Sequence, residues 1–183
     1  GLREISALRF ADLAQGEEDH GQCEAKKIIG SSGAAAMYRI SSLERAEEGD
    51  KYFDENFFMY KEDCDLAYRL CLAGFKSKCV SDAIIYHDRT AAAKGNSNFK
   101  IILNRRSKNK QIKKWSFSGQ QYMFLKYWKL QNFKQKLEIF WYAFRMFIFV
   151  LLFEQYLLGQ YISLWQKRKK IKFRPALAGV SKS

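Results

Sequence analysis

One stretch of the chain is rich in structural information: Tyr52-Phe53-Asp54-Glu55-Asn56-Phe57-Phe58-Met59-Tyr60-Lys61-Glu62-Asp63-Cys64-Asp65-Leu66-Ala67-Tyr68-Arg69. Its aromatic-rich first half is followed by a cluster of acidic residues. Beyond that cluster, Leu66, Leu70 and Ala73 recur at helical spacing, and Gly74 stands where a helix commonly ends. The pattern therefore predicts a helix over residues 62–73 that begins directly behind an aromatic segment.

The acidic cluster at the start of this predicted helix has two interpretations. Carboxylates in a first helical turn interact favourably with the helix dipole, which alone would explain Glu62, Asp63 and Asp65. Asp65 also lies four residues before Arg69, the spacing of an ion pair on one helix face. Alternatively, Asp63 could act as a general base on a sugar or alcohol hydroxyl. A helix start suits that role because the base must lie within hydrogen-bond reach of the proton.

Small residues are concentrated upstream of this stretch, in Gly30-Ser31-Ser32-Gly33-Ala34-Ala35-Ala36. They indicate either a loop packed tightly against its own domain or a segment whose backbone approaches a ligand. A capped short helix is predicted over residues 41–46. Short strands are predicted near residues 33–39, 75–80 and 83–86. Residues 1–27 are weakly patterned, and their acidic, glycine-flanked segment 16–21 is predicted to be a surface loop.

His87 follows the last predicted strand and also has two interpretations. A single histidine at a strand end is commonly a structural residue with its hydrogen bonds satisfied. Imidazole is also a frequent ligand of divalent metals, in which case carboxylates from elsewhere would complete the site.

Charge is distributed unevenly along the 183 residues. Residues 1–90 contain 12 basic and 17 acidic side chains, whereas residues 91–183 contain 20 basic and 2 acidic ones. A hydrophobic content of 48% with a single proline excludes disordered and collagen-like proteins. The four cysteines form no C-x-x-C pair, so neither a zinc site nor a disulfide framework is indicated. They are predicted to be reduced and mostly buried, as suits a cytosolic location.

The order and spacing of these segments resemble the C-terminal half of the catalytic domain of family 2 glycosyltransferases. The pattern F-D-E-x-F-F-x-Y-x-E-D-x-D-L-x-x-R-x-x-x-x-G, which begins here at Phe53, is matched almost throughout. The resemblance covers residues 28–90 and is strongest to bacterial rhamnosyltransferase-like members that build cell-surface polysaccharides. It implies an α/β fold in which residues 1–90 form the C-terminal, acceptor-side part of an A-type (Rossmann-like) glycosyltransferase domain.

The same resemblance implies roles for individual residues. Asp63 corresponds to the base that deprotonates the acceptor hydroxyl in an inverting transfer from a nucleotide-sugar donor to a glycan or lipid-linked acceptor. Glu62 beside it contributes to the acceptor site. The substrate-binding residues implied by the matched block are Gly33, Ala34, Tyr60 and Asp65.

The cofactor implied by the resemblance is a divalent metal, Mg²⁺ or Mn²⁺, with His87 as a ligand. In that family most of the metal and nucleotide site lies N-terminal to the matched block and includes a D-x-D motif. Here the D-x-D sequence is Asp63-Cys64-Asp65, which belongs to the base motif. We therefore expect this chain to represent the C-terminal part of an enzyme, and to bind the nucleotide sugar poorly without the remainder.

Residues 91–183 are predicted to form a basic, aromatic-rich helical region that docks on a membrane. The 28 residues between Glu138 and Lys167 contain only two charged side chains, Arg145 and Glu154. A helix of that length could span a hydrocarbon core, but Glu154 would then lie near its middle. We therefore expect one or two amphipathic helices in the membrane interface. The aromatic side chains expected at headgroup depth are those of Trp128, Trp141, Tyr142, Tyr161 and Trp165.

Basic clusters on either side of this region are predicted to face anionic lipid at the cytoplasmic face of the cell membrane. They comprise Lys108, Lys110, Lys113 and Lys114 upstream and residues 167–170 downstream. One alternative is a helical hairpin that buries the aromatic side chains against the catalytic domain. Others are a nucleic-acid-binding module, disfavoured because the charges flank the aromatic stretch instead of mixing with it, and an inactive scaffold. We expect no nucleic-acid partner.

Overall fold

The computed structural model describes residues 1–18, 20–23, 26–47, 51–86, 109–169 and 171. Two strands, β1 (Leu2–Ser6) and β2 (Arg9–Asp12), are followed by two helices, α1 (Ile40–Ala46) and α2 (Glu62–Leu72). Three further helices, α3 (Lys110–Tyr127), α4 (Phe133–Phe153) and α5 (Leu158–Lys167), complete the described part. Short 3₁₀ turns at Trp128–Leu130 and Gln155–Leu157 connect these last helices.

The N-terminal hairpin was not predicted from the sequence. β1 and β2 pair antiparallel around a turn at Ala7 and Leu8, which both have positive φ angles, 52° and 51°. Such turns usually carry glycine or asparagine, and here two apolar residues occupy the turn because their side chains are buried in the core. The backbone of Leu2 also exchanges hydrogen bonds with Ile29 and Gly30, which ties the hairpin to the small-residue segment.

The three predicted strands do not form. Residues 33–39 are turns and irregular backbone, and so are residues 83–86. In segment 75–80 a single bridge joins Ser77 to Ile28. A strand needs a neighbour that satisfies its backbone groups, and among the described residues these segments have no continuous partner. The described structure is thus an α/β arrangement with a small sheet of two strands and five helices.

Helix α2 begins at the predicted residue and ends at Leu72, one residue before the predicted end, with Ala73 as its C-cap. Gly74 adopts a left-handed conformation with φ 86°, and its N–H donates to the carbonyl of Cys71 at 3.0 Å. The N–H of Phe75 donates to the carbonyl of Leu70 at 3.0 Å, which completes a Schellman motif. The short helix at 41–46 is also present as α1, although Arg39 at its N-cap makes no side-chain capping bond.

Residues from both predicted regions, 1–90 and 91–183, share one hydrophobic core. Its buried members include Leu8, Phe10 and Ala67 from the first region and Met123 and Tyr127 from the second. Tyr68 on α2 packs edge-on against Tyr127 on α3, with ring centroids 4.7 Å apart. The helical region is therefore packed against the motif-bearing segment over the described residues.

Helix α4 has one buried and one exposed face. Ile139 and Val150 are buried, while apolar side chains along the rest of the helix remain exposed. The helix ends at Phe153, and the carboxylate of Glu154 is buried against Lys113, with Oε1 3.3 Å from Nζ. Glu154 and its pairing with Lys113 thus mark the boundary between α4 and the next helix, an arrangement that the sequence did not predict. No helix that the structure describes is both long and apolar enough to cross a membrane.

The four cysteines are free thiols, as predicted, but they are not mostly buried. Cys64 is buried on α2, Cys71 is exposed, and Cys23 and Cys79 are half-buried. Burial raises the pKa of the Cys64 thiol well above its usual range, so this thiol stays protonated.

Candidate active site

Asp63 lies in the first turn of α2 and is partly exposed. Its Oδ2 accepts a hydrogen bond from the Gly33 N–H at 2.9 Å, and its Oδ1 accepts one from the Cys64 N–H at 2.7 Å. These two backbone donors fix the orientation of the carboxylate. Each carboxylate oxygen can accept more than one hydrogen bond, so capacity remains for a hydroxyl from outside.

The loop that faces Asp63 is held against α2 by a glycine. A Cβ atom built on Gly30 would lie 2.1 Å from the Cβ of Ala67, so only glycine allows the loop this close to the helix. Farther along, Gly33 and Ala34 are both exposed. The tight packing that the sequence indicated is therefore present at Gly30. The approach of this backbone to a ligand stays a prediction, and the exposed Gly33 lies beside Asp63.

The two residues that precede α2 adopt left-handed conformations without being glycine. Tyr60 has φ 68° and Lys61 has φ 78°. Gly119 on α3 packs against this turn, because a Cβ at that position would lie 2.9 Å from the Tyr60 carbonyl oxygen. Strained backbone of this kind persists where the surrounding structure holds it, and it is frequent at functional sites. The turn places the half-buried ring of Tyr60 immediately before the acidic cluster.

Glu62 is half-buried beside Asp63, and its Oε2 has no hydrogen-bond partner among the described residues. Burial and, to a smaller extent, the charge of Asp63 raise the pKa of Glu62 above its usual value. The pKa of Tyr38 is raised as well, first by burial and then by the Asp63 charge. A carboxyl group that holds its proton to higher pH can donate a hydrogen bond as well as accept one.

Asp65 has internal partners for both carboxylate oxygens. It is completely buried, its Oδ2 accepts from Arg69 Nε at 2.8 Å, and its Oδ1 lies 2.8 Å from Lys126 Nζ. Tyr127 also donates its hydroxyl hydrogen to Oδ1 at 2.6 Å. The predicted ion pair with Arg69 is confirmed. The geometry gives Asp65 a structural role, whereas its assignment to substrate binding stays a prediction that this burial does not favour.

A second buried carboxylate, Asp54, joins the same network. Its Oδ2 lies 2.8 Å from Lys126 Nζ and accepts the Tyr122 hydroxyl at 3.0 Å, while its Oδ1 accepts from the backbone and side chain of Asn56. Burial alone would raise the pKa of Asp54, but Lys126 and Asn56 outweigh it and the pKa is lowered. Arg69 completes the network by donating to the carbonyls of Ala46 and Tyr52.

Apart from the Asp65–Arg69 pair, this four-residue charged network of Asp54, Asp65, Arg69 and Lys126 was not predicted from the sequence. One pattern could have indicated it. Lys126 is the single charged residue in the run Gln120-Gln121-Tyr122-Met123-Phe124-Leu125-Lys126-Tyr127-Trp128, and a cation in an apolar helical run needs a buried partner. The partner carboxylates, however, lie more than sixty positions earlier in the chain, where spacing gives no information about contact.

His87, the predicted metal ligand, lies outside the described residues. Within the described ranges, no group of three or more His, Cys, Asp or Glu side chains could hold a metal ion. The described residues thus place Asp63, Glu62, Gly33 and Tyr60 at one end of α2, with Asp65 buried behind them. The divalent metal and its ligand stay predictions.

Comparison with known proteins extends the sequence resemblance. A family model described as "Glycosyl transferase family group 2" matches residues 3–166. The match therefore includes the hairpin and reaches through α3 and α4 into α5, well beyond residues 28–90. Neither a curated protein nor a solved structure matches the chain. Because the family model covers most of the chain and includes the acidic cluster at the start of α2, the chain belongs to glycosyl transferase family group 2.

Proposed function

We propose that this protein is an inverting glycosyltransferase in which Asp63 is the general base that activates the acceptor hydroxyl. The donor is a nucleotide sugar, and the acceptor is a glycan or a lipid-linked saccharide of cell-surface polysaccharide synthesis. In this proposal the chain supplies the acceptor side of the reaction. The nucleotide of the donor is held mainly by another part of the enzyme.

The observation that carries this proposal is the position of Asp63. Its carboxylate is oriented by the Gly33 N–H, remains partly exposed, and lies at the rigid start of a helix beside exposed small residues. A residue that only capped the helix would not need an exposed loop of Gly33 and Ala34 against it. Small side chains leave room for a sugar ring to bring its hydroxyl within hydrogen-bond reach of the carboxylate.

The reaction follows from this arrangement. The acceptor hydroxyl donates its proton to Asp63 while its oxygen forms a bond to the anomeric carbon of the donor sugar. The bond between that carbon and the diphosphate oxygen breaks on the opposite side, and the nucleoside diphosphate leaves with the electron pair. Attack from the side opposite the leaving group inverts the anomeric configuration.

Glu62 and Tyr60 support the acceptor side of this proposal. Glu62 is half-buried, and its Oε2 is a buried oxygen without a hydrogen-bond partner among the described residues, which a donor such as a sugar hydroxyl would satisfy. Tyr60 presents a half-buried ring next to the same helix start. Sugar rings carry apolar C–H faces as well as hydroxyls, and an aromatic ring beside carboxylates contacts both.

The proposal also places the protein at the cytoplasmic face of the cell membrane as a peripheral protein. Support comes from the exposed side chains of α4 and α5, which include Trp141 and Trp165, 53% and 64% exposed. Tyr142 and Tyr161, by contrast, pack inward against Phe124 and Phe117. These four aromatic residues therefore divide between the two predicted arrangements, which are docking in a membrane interface and burial against the catalytic domain. The tryptophans are available to an interface, and the two tyrosines join α4 and α5 to the rest of the domain.

The test is a transfer assay on the full-length gene product with a panel of nucleotide sugars and saccharide acceptors. We expect release of a nucleoside diphosphate that depends on the acceptor, and a product with the anomeric configuration opposite to that of the donor. A product that retains the donor configuration, or hydrolysis of the donor that no acceptor changes, would contradict the proposed inverting transfer.

A further inference from the structure

A cleft of about 230 Å³ lies between the N-terminal hairpin, α3 and α4. Its apolar side is formed by Phe10, Phe117, Tyr142 and Met146. Its polar side carries Arg9, Lys61, Lys113 and Gln121 among others. None of the residues assigned to the acceptor site lines this cleft, which we call the anion cleft. Lys61, however, directly precedes α2, so the cleft and Asp63 are at the same end of that helix.

The charged residues that line the anion cleft are all cations. Lys113 is paired with Glu154 at 3.3 Å. The guanidinium of Arg9 donates to the Ser6 hydroxyl at 2.8 Å and lies 4.5 Å from the ring centre of Tyr142. Within the described ranges, neither Arg9 nor Lys61 forms an ion pair with a carboxylate. Because cations gathered around a low-dielectric wall attract an anion more strongly than in water, the cleft favours a negatively charged ligand.

A buried amide donor points to the same ligand. Gln121 is only 9% exposed, and its Nε2 finds no hydrogen-bond acceptor among the described residues. The neighbouring Gln120 shows the usual arrangement, since its Nε2 donates to the Leu8 carbonyl at 3.0 Å. A buried N–H donor without an acceptor lowers the stability of the fold. A ligand that supplies the acceptor would remove this cost.

We propose that the anion cleft binds a phosphate or diphosphate group of a substrate. Ionised phosphate oxygens accept hydrogen bonds, and the cleft is lined by an ammonium, a guanidinium and an amide NH₂ group that can donate them. This inference rests on the proposed function, because the nucleotide-sugar donor and a lipid-linked acceptor of such a transferase both carry phosphate. The apolar side of the cleft, with Phe117 and Met146, fits a ligand in which the phosphate is joined to a hydrocarbon chain.

The test is a binding titration of the full-length protein by isothermal calorimetry with two probes. Inorganic pyrophosphate supplies the anion alone, and geranyl phosphate supplies an anion joined to an apolar chain. Lys61→Gln removes a cation and Gln121→Glu places a negative charge at the orphan amide with little change in shape. Lys129→Gln, an exposed lysine outside the cleft, is the control for net charge. Melting curves show whether each variant is folded.

We expect saturable binding of at least one probe, weakened about tenfold or more by Lys61→Gln and by Gln121→Glu and little changed by Lys129→Gln. Tighter binding of geranyl phosphate assigns the phosphate to a lipid-linked acceptor, whereas equal or tighter binding of pyrophosphate assigns it to the donor diphosphate. The proposal is overturned if neither probe saturates, or if the two cleft variants bind as tightly as Lys129→Gln.

This experiment is independent of catalysis. If the wild-type protein binds a probe through the cleft but transfers no sugar in the acceptor assay, the anion cleft stands and the proposed function fails. If transfer depends on Asp63 while the cleft variants retain full affinity for both probes, the proposed function stands and the anion cleft fails.

Discussion

Asp63 is held by two backbone N–H groups, so its replacement by the isosteric amide tests chemistry with little change in fold. Asp63→Asn keeps an oxygen that can accept from Gly33 but removes the capacity to take a proton. We expect transfer to fall by about 10²-fold or more, in line with general-base contributions. Donor affinity should change little. The measurement is the steady-state rate of sugar transfer together with the dissociation constant of the donor.

The matched control for this variant is Asp82→Asn, because Asp82 is exposed and lies outside the site. It should transfer at the wild-type rate. If Asp63→Asn also retained normal turnover, the residue would be a helix-capping carboxylate and the base would have to be sought elsewhere.

Two glycines in the small-residue loop should respond differently to the same substitution. Gly30→Ala places a methyl group 2.1 Å from the Cβ of Ala67, whereas Gly33→Ala places one 3.5 Å from the Cβ of Asp63, an ordinary contact. We expect Gly30→Ala to lower the free energy of unfolding by about 1–3 kcal/mol through overpacking. Gly33→Ala should stay close to wild-type stability. The measurement is chemical denaturation of the two variants side by side. Equal stability would show that the loop moves away from α2 at Gly30 and accommodates the added methyl group.

At the scale of elements, Lys126 joins α3 to α2 and to the aromatic segment. It is 3% exposed and its ammonium lies 2.8 Å from carboxylate oxygens of both Asp54 and Asp65. Lys126→Met fills a similar volume but removes the cation that is paired with the buried carboxylates of Asp54 and Asp65. We expect a loss of about 3–5 kcal/mol in the free energy of unfolding. Lys129→Met, at an exposed position, should change it by less than about 0.5 kcal/mol.

The charged network also sets a pH window for stability. The pKa of Asp54 is lowered, so its contribution is present above the unfolded value of about 3.9 and is lost as pH falls through the folded pKa. Burial would lower the pKa of Lys126, but the two carboxylates raise it overall. Its contribution is therefore present below the unfolded value of about 10.4 and is lost as pH rises through the folded pKa.

We therefore expect the contribution of this network to be constant between about pH 4 and pH 10 and to fall at both extremes. Denaturation midpoints of the wild-type protein and of Lys126→Met across this range are the measurement. The difference between the two proteins should be largest inside the window and shrink outside it. A difference that varied steadily across neutral pH would contradict this assignment.

The sequence was sufficient for the elements whose information is local. Helix α2 follows from apolar spacing and from Gly74, and both are contained in a dozen residues. The hairpin was missed because its turn, Ala7-Leu8, carries none of the usual turn residues and is stabilised by burial in a core built from α2 and α3. The same limit applies at the site. The Asp65–Arg69 pair was predictable from its spacing, whereas the contacts of Lys126 depend on the tertiary fold.

At the scale of the whole molecule, the shared core changes how the charge asymmetry is interpreted. Over its described residues, the basic second region is not a separate tail, because Tyr122, Met123 and Tyr127 of α3 are buried against the motif-bearing segment. Whatever surface α4 and α5 bind is therefore held in a fixed position relative to α3 and to the start of α2. For an enzyme with a lipid-linked acceptor, a membrane surface bound by α4 and α5 would therefore stay at a constant distance from Asp63.

The exposed apolar face of α4 allows the proposed membrane docking to be tested. The helix exposes Trp141 and Phe144, 53% and 48%, away from the core, and the described basic residues nearby include Lys134 and Arg145. Apolar area buried in the interface and attraction to anionic lipid should act together. We expect the protein to co-sediment with anionic vesicles, to bind less in high salt, and to lose most binding in the double variant Trp141→Ser and Phe144→Ser.

The control for that loss is Ile84→Ser, which removes an exposed apolar side chain from a different part of the chain. It should bind vesicles as the wild type does, because a loss caused by lower surface hydrophobicity in general would appear in both proteins. Equal binding to neutral and anionic vesicles would argue against the electrostatic part of the proposal. Resistance to carbonate extraction would argue against docking in the interface as a whole. A peripheral helix held by a shallow apolar face and by attraction to anionic lipid is released when its lysine side chains lose their charge at high pH.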